Sequence, residues 1–388
     1  MENDFVKPLT VWYNLGHRDL PWRHTRDPYK IWVSEIMLQQ TRVEAVRTYY
    51  ARFLDALPDV RALAACPDVR LLKLWEGLGY YSRVRNMKKA AQIIVSDFDG
   101  KFPADAGELR RLPGIGAYTA GAVASIAFGL AEPAVDGNVM RVYARLAADE
   151  SNILSQKMKR SVTEELRGVL ASSFGQPGRP GVYPGDGDAP TETGAFNQAL
   201  FELGATVCTP KDPQCPDCPV RLWCRAFSEG RTETLPVRLA PEKHREEDRT
   251  VLLIEDGGRT AVRRRPDGGL LGGLYEFPNL PGIVGEEDAL AYVRRSGYEA
   301  LRIRKLPEAK HVFSHVTWRM TGYCIMIAPE TENGGQNGWI FADRAELKDV
   351  YPIPAAFAAY ANLLGILVGK KGKERGTDED SDSRNSML

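Results

Sequence analysis

The 388-residue sequence predicts a multi-domain α plus α+β protein, with an all-α domain over residues 1–230 and a smaller α+β domain over 250–368. Apolar residues recur at helical spacing through the first 230 positions, with no convincing strand among them. Beyond position 249 the period shortens to the alternation of strands. The stretch 231–249 between them, proline-bearing and ending in Lys243-His244-Arg245-Glu246-Glu247-Asp248, has the mixed charge of a linker. Residues 369–388, charged and Ser-rich, have the composition of a disordered tail.

A hydrophobic content of 43% is ample for two cores. Lys+Arg and Asp+Glu are both 51, so no global basic field advertises nucleic-acid binding, and any such contact must be local. Met1-Glu2-Asn3-Asp4-Phe5 has no basic start or apolar h-region, and no apolar run is long enough for a bilayer. A cytoplasmic protein in a reducing compartment is expected.

In chain order, residues 5–15 form a short amphipathic helix, followed by Leu20-Pro21-Trp22-Arg23. Two helices fill 29–55, the first containing Ile31-Trp32-Val33-Ser34-Glu35-Ile36-Met37-Leu38-Gln39-Gln40. Apolar residues surround most of its circumference, so Glu35 faces a pocket or a partner, and burial raises its pKa toward that of a general acid. Further helices are predicted around 60–65, 70–76, 82–97, 105–111, 118–129, 138–147 and 156–171. Between two of them, Leu112-Pro113-Gly114-Ile115-Gly116 pairs a turn-setting proline with two glycines able to take positive φ. Backbone N–H groups converge where the next helix starts, which suits a phosphate. Val135-Asp136-Gly137-Asn138 then puts a carboxylate at the head of the following helix. Residues 175–193 are rich in Gly, Pro and Asp and are expected to be a mobile surface insertion.

A helix over 195–206 leads into Cys208, Cys215, Cys218 and Cys224, spaced C-x6-C-x2-C-x5-C among prolines. Four thiolates in so short a segment can surround a compact metal centre, and the residues alone suit zinc as well as iron–sulfur. In the second domain Thr250–Ile254, Thr260–Arg264, Tyr323–Ile327 and Gly338–Ile340 alternate like strands, with helices near 287–296 and 354–367.

The hairpin followed by Asp136 resembles the helix-hairpin-helix Gly-Pro-Asp motif of the endonuclease III superfamily of DNA base-excision glycosylases. The cysteine spacing is similar to that superfamily's 4Fe-4S loop. The resemblance implies one 4Fe-4S cluster on the four cysteines, bracing a loop whose Lys211, Arg221 and Arg225 reach phosphates. Cys66 and Cys324 fit as small core residues. The endonuclease III pattern carries an imine-forming lysine two residues after the second hairpin glycine. Here that place is Tyr118, which implies a monofunctional enzyme.

Trp32 through Thr41 resembles the catalytic-glutamate helix of the MutY adenine glycosylase family. By that resemblance Glu35 protonates N7 of an extruded adenine, and ionised Asp136 stabilises the oxocarbenium-like sugar. Asn138 orients these groups and Tyr118 lies nearby. Trp22, Arg23 and Glu202 match positions lining the adenine pocket, and Gln40 and Thr41 match residues beside the opposite base. Leu78-Gly79-Tyr80-Tyr81-Ser82-Arg83 matches a loop whose first tyrosine wedges into the duplex, while Gly114 and Gly116 shape the phosphate hairpin.

Leu270 through Pro278, with Glu276-Phe277-Pro278 at its end, resembles the opening of a MutT-like Nudix domain. Arg294 and Arg295 stand where a Nudix helix carries paired carboxylates for magnesium, so recognition is expected in place of pyrophosphate hydrolysis. Lys310-His311-Val312-Phe313-Ser314-His315 resembles the loop with which MutY C-terminal domains probe 8-oxoguanine. The implied partner is duplex DNA carrying adenine opposite 8-oxoguanine or guanine, bound by a monomer without a membrane. The rival readings are an endonuclease III-like lyase, a thymine mismatch glycosylase, a Nudix hydrolase and a silent iron–sulfur DNA-binding protein.

Overall fold

The computed structural model describes residues 3–175, 191–239, 245–267, 269–313, 316–328 and 338–368. The chain divides into two compact units, Met1–Trp75 with Tyr80–Lys243, and Glu76–Gly79 with His244–Leu388.

The first unit is helical: α1 (Val6–Gly16), α2 (Pro28–Leu38), α3 (Val43–Ala56), α4 (Val60–Ala65), α5 (Asp68–Leu74), α6 (Ser82–Asp97), α7 (Ala106–Arg111), α8 (Ala117–Phe128), α9 (Gly137–Ala147), α10 (Gln156–Phe174), α11 (Glu192–Thr206) and α12 (Arg225–Ser228). Its helix starts are written in the sequence as side-chain caps. Asp27, Asp59, Asp105, Asp136, Ser155 and Thr191 each accept a bond from a backbone N–H in the first turn of the helix they precede. Thr191 corrects the reading of 175–193 as insertion, because its cap lets α11 begin at Glu192. Residues 176–190 of that stretch lie outside the described residues, as does the tail 369–388.

Among the helices buried on nearly every side are three that carry much of the site. In α2 every residue from Ile31 to Met37 is buried, in α8 every residue from Thr119 to Phe128, and in α11 all but Phe201 between Thr193 and Gly204. Alpha-helix α11 approaches the head of α9 closely enough that a Cβ at Gly204 would stand 2.6 Å from Asn138 Cβ, which only glycine permits. A core of Leu9, Tyr13, Val139, Val142, Leu166, Phe196 and Leu200 ties α1, α9, α10 and α11 together, with Cys208, Cys218 and Cys224 packed against its edge.

Between α7 and α8 the predicted hairpin forms, with one correction. Gly114 takes φ +78°, and a Cβ there would meet Asn86 Cβ at 2.7 Å. Gly116 has φ −84° and needs no such freedom; it is the N-cap of α8.

The second unit is built on one sheet, in the order β3-β2-β1-β6-β5, with β4 against β1 and β7 against β2. Its strands are β1 (Arg245–Asp256), β2 (Arg259–Arg264), β3 (Tyr275–Glu276), β4 (Asn279–Pro281), β5 (Ala300–Val312), β6 (Val316–Ile327) and β7 (Ile340–Ala342), with helices α13 (Glu286–Arg295), α14 (Arg344–Asp349) and α15 (Ala358–Leu363). Strands β1 and β6 pair in parallel from Arg245 with Val316 to Glu255 with Met326, so they lie at the centre and are buried on both faces. Trp318, Phe277 and Phe357 fill one face, and Ile254, Ile325 and Tyr298 the other.

Several boundaries differ from the sequence expectation. Strand β1 starts at Arg245, inside the presumed linker, because cross-strand Arg319 Nε donates to Asp248 Oδ1 at 2.8 Å and Arg249 pairs with Glu247 at 3.1 Å, which keeps charged residues in a ladder. Residues 231–239 belong to the first unit, where Ile153 N donates to Val237 O at 2.9 Å. Strand β5 escaped the sequence reading because it is a charged edge whose Pro307 falls at a register shift between Leu306 and Ala309. The helix expected over 354–367 shrinks to a 3₁₀ turn and α15, which stops before Gly365 at φ +68°. No helix among the described residues is long and apolar enough to cross a membrane.

Candidate active site

A cavity of about 640 Å³ in the first unit is lined by residues from α2, the head of α8, the head of α9, α10 and α11. Of the residues singled out in the sequence, Trp22, Arg23, Glu35, Gln40, Thr41, Tyr118, Asp136 and Asn138 all reach it. They lie up to 116 positions apart, and the buried packing of α2 against α8 and of α8 and α9 against α11 gathers them.

Glu35 is 5% exposed, and Tyr118 Oη donates to its Oε2 at 2.5 Å. Burial raises the Glu35 carboxyl to about 7, the Tyr118 bond holds it down in part, and the charge of Asp136 pushes it further up. At neutral pH it therefore retains its proton in a large share of molecules. Asp136 caps α9, accepting from Val139 N at 2.8 Å and from Asn138 Nδ2 at 3.0 Å. Burial raises its pKa too, but these donors favour the carboxylate. Glu35 thus has a single donor favouring its ionised form and Asp136 has two, which arranges the pair so that Glu35 is the one more readily protonated.

Asn138 is itself held. Arg141 Nη2 donates to Asn138 Oδ1 at 2.9 Å and to Gly204 O at 2.7 Å, while Arg141 Nε donates to Cys208 O at 2.8 Å. One turn on, Arg145 Nη1 donates to Cys208 Sγ at 3.3 Å and to Thr209 O at 2.7 Å. Helix α9 thereby carries the acid at its head and grips the cysteine segment with its side. The four cysteines line one small recess with Arg145, Arg221 and Thr232. Burial pushes the Cys218 thiol up to about 12 and raises Cys215 and Cys224, so a positive centre is needed to hold them as thiolates. No three metal-ligand side chains among the described residues are drawn together as tightly as around one ion. Four thiols lining one recess are a donor set that suits a metal centre.

Glu202 does not line the cavity. Arg18 clasps it with Nε and Nη2, both at 2.8 Å, and Arg23 Nη2 adds a third bond at 2.6 Å. Burial acts to raise this carboxyl, but the two guanidiniums outweigh it and bring it to about 2. Its effect on a ligand passes through Arg18 and Arg23, which do line the cavity. Arg18 was missed in the sequence, as was Gln198, whose Nε2 is buried without a hydrogen-bond partner among the described residues while the residue lines the cavity. Gln198 stands in the same Asn197-Gln198 segment that flagged Glu202, so position beside a recognised residue was the available signal.

Other expected residues lie elsewhere. Leu78 and Tyr81 are buried, whereas Tyr80 is 46% exposed at φ +47°. Gln40, on the cavity lining, has φ +58°; such non-glycine positions store strain and cluster at functional sites. Arg83 Nη1 donates to Ile36 O at 2.7 Å and Gln39 O at 2.6 Å, closing the C-terminus of α2. Gly114 and Gly116 are exposed on the hairpin. In the second unit Phe313 N donates to Val316 O at 2.8 Å, and its ring packs edge-on to Trp318 at 4.9 Å. Ser314 and His315 lie outside the described residues. Glu276 is buried between Arg263, at 2.9 Å, and Arg265, and Arg294 and Arg295 are exposed on α13.

Residues 33–168 match the HhH-GPD superfamily base excision DNA repair protein family, and residues 250–363 match the NUDIX domain. The chain is 37% identical to an adenine DNA glycosylase of Arabidopsis thaliana over 79% of its length, spanning 55% of that protein. It is 35% identical to that of Homo sapiens, covering 84% of this chain and 68% of the relative, and 31% identical to that of Buchnera aphidicola, covering 83% and 86%. The chain belongs to the adenine DNA glycosylase family, within the helix-hairpin-helix superfamily of base excision DNA repair proteins.

Proposed function

We propose that this protein hydrolyses the N-glycosidic bond of adenine mispaired with 8-oxoguanine or guanine in duplex DNA, leaving an abasic site. The observation that carries the reading is the pairing of a Glu35 carboxyl raised to about 7 with a hydrogen-bonded Asp136 in one cavity. An extruded adenine enters the cavity, and Glu35 donates its proton to N7, making the base a better leaving group. Asp136, anionic, stabilises positive charge as it develops on the sugar, and Asn138 fixes the direction of its second oxygen. Tyr118 keeps Glu35 in place but supplies no amine, so water completes the reaction without an imine. Gln198 offers an unspent donor to an acceptor on the purine.

Cys208, Cys215, Cys218 and Cys224 would hold one 4Fe-4S cluster. When bound it supplies positive charge that keeps the thiols ionised and braces the loop around them. Arg141 and Arg145 then tie that loop to the helix bearing Asp136. In the second unit Phe313, with Ser314 and His315 next in sequence, is proposed to probe the oxidised guanine.

The test is base release from duplexes with adenine opposite 8-oxoguanine, guanine or thymine. Release from the first two with little from the third supports the reading. Release of thymine from a mismatch, or a borohydride-trapped complex at full yield, sinks it in favour of the thymine glycosylase or lyase rivals.

A further inference from the structure

Lys159 lines the cavity, yet neither the acid chemistry nor recognition of the base gives it a task. It is half-buried near the start of α10, one residue after Met158, which is fixed in the core. The other cations on the lining, Arg18 and Arg23, are both tied to Glu202. Among the described residues the Lys159 ammonium has no acidic partner. Helix α10 opens Gln156-Lys157-Met158-Lys159-Arg160 with no acid in its first turn. Cations at this end of a helix oppose its dipole, so helix stability does not account for them.

When a nucleotide leaves the stack its base enters the pocket, but its sugar and flanking phosphates stay at the mouth. Those phosphates approach a site whose working state holds Asp136 as a carboxylate, and like charges repel. We infer that Lys159 holds a backbone phosphate next to the extruded nucleotide and so offsets that repulsion. The inference rests on the glycosylase reading above. A flexible ammonium suits a phosphate that arrives only after extrusion, because it can follow the oxygen without a fixed fork geometry. Lys159 is therefore a positioning residue whose contribution depends on the extruded state.

The experiment is equilibrium binding of the full chain across a salt series, for wild type, Lys159→Gln and Lys159→Arg. One duplex carries 2′-fluoro-2′-deoxyadenosine, which resists loss of its base, opposite 8-oxoguanine; the other is fully paired. Lys159→Gln is expected to weaken binding to the mispaired duplex by about tenfold and to flatten its slope of log affinity against log salt by about 0.9. Lys159→Arg restores both, and affinity for the paired duplex stays unchanged in all three proteins. An unchanged slope, or an equal loss on both duplexes, overturns the inference. So does a borohydride-trapped complex that forms with wild type and vanishes in both variants, since that assigns the amine to an imine. Adenine release by wild type from the natural mispair separates the two failures: no release sinks the glycosylase reading, whereas release with an unchanged slope sinks only the role of Lys159.

Discussion

Glu35 and Glu202 are both almost wholly buried beside the same cavity, and they end at opposite extremes. Glu35 receives one hydrogen bond from a neutral phenol and rises to about 7; Glu202 receives four donors from two arginines and falls to about 2. Burial alone pushes both the same way, so the neighbours decide. One wall of the cavity is left short of counter-charge and keeps a transferable proton. The wall formed by Arg18 and Arg23, backed by Glu202, is saturated and becomes rigid scaffold.

Removing the proposed proton donor is the hardest blow to this contrast. Glu35→Gln should lower the single-turnover rate of base release by about a thousandfold, the range of a positioned general acid, with duplex affinity retained. The same variant should be more stable than wild type above pH 7. A carboxyl raised from 4.5 to about 7 contributes stability that is present below pH 4.5 and lost as pH climbs through 7. That loss is at most roughly 3 kcal/mol, and thermal melts at pH 5 and pH 8 will show whether the gap between variant and wild type opens with pH. Asp136→Asn should cost about a hundredfold or more in rate, the scale of a lost electrostatic stabiliser, measured under the same conditions.

Glu202→Gln attacks the other wall and should behave in reverse. It leaves the buried Arg23 guanidinium without its anion, so the expected effect is a loss of about 3 kcal/mol, or roughly 10 °C in Tm. A variant that melts like wild type would show that the saturated wall is not scaffold. The mildest change, Tyr118→Phe, removes the bond that favours ionised Glu35. The pKa of Glu35 should rise, moving the alkaline limb of the pH–rate profile upward by about one unit while the acid limb, set by Asp136, stays in place. An alkaline limb that moves down would mean the phenol favours the protonated form.

The two units also differ in how far their sequences betray them. In the first, caps such as Asp105, Asp136 and Ser155 and the buried stripe around Glu35 are local signals, and the helices stand where those signals put them. In the second, β5 pairs with β6 although Arg302, Arg304, Lys305, Glu308 and Lys310 break up any apolar alternation, and α14 is set by a capping box of Asp343 and Glu346 too short to give a periodic pattern. The start of β1 at Arg245 likewise depends on Arg319, 74 positions away. Partners far apart in the chain leave no mark in a window of ten residues.

The sequence by itself determined the division into helical and mixed domains, the hairpin and the cysteine spacing, and it singled out Glu35 and Asp136 only through their resemblance to a known family's motifs. The division, the hairpin and the spacing depend on period, turn chemistry and residue type, which are properties of short segments. Only the tertiary structure decided that Glu202 stands behind Arg18 and Arg23, that Gly116 needs no positive φ, that Gln198 and Lys159 reach the cavity, and that Arg141 links Asn138 to Cys208. Protonation and partnership are set by what burial brings within hydrogen-bond distance, and the chain does not record those distances until it has packed.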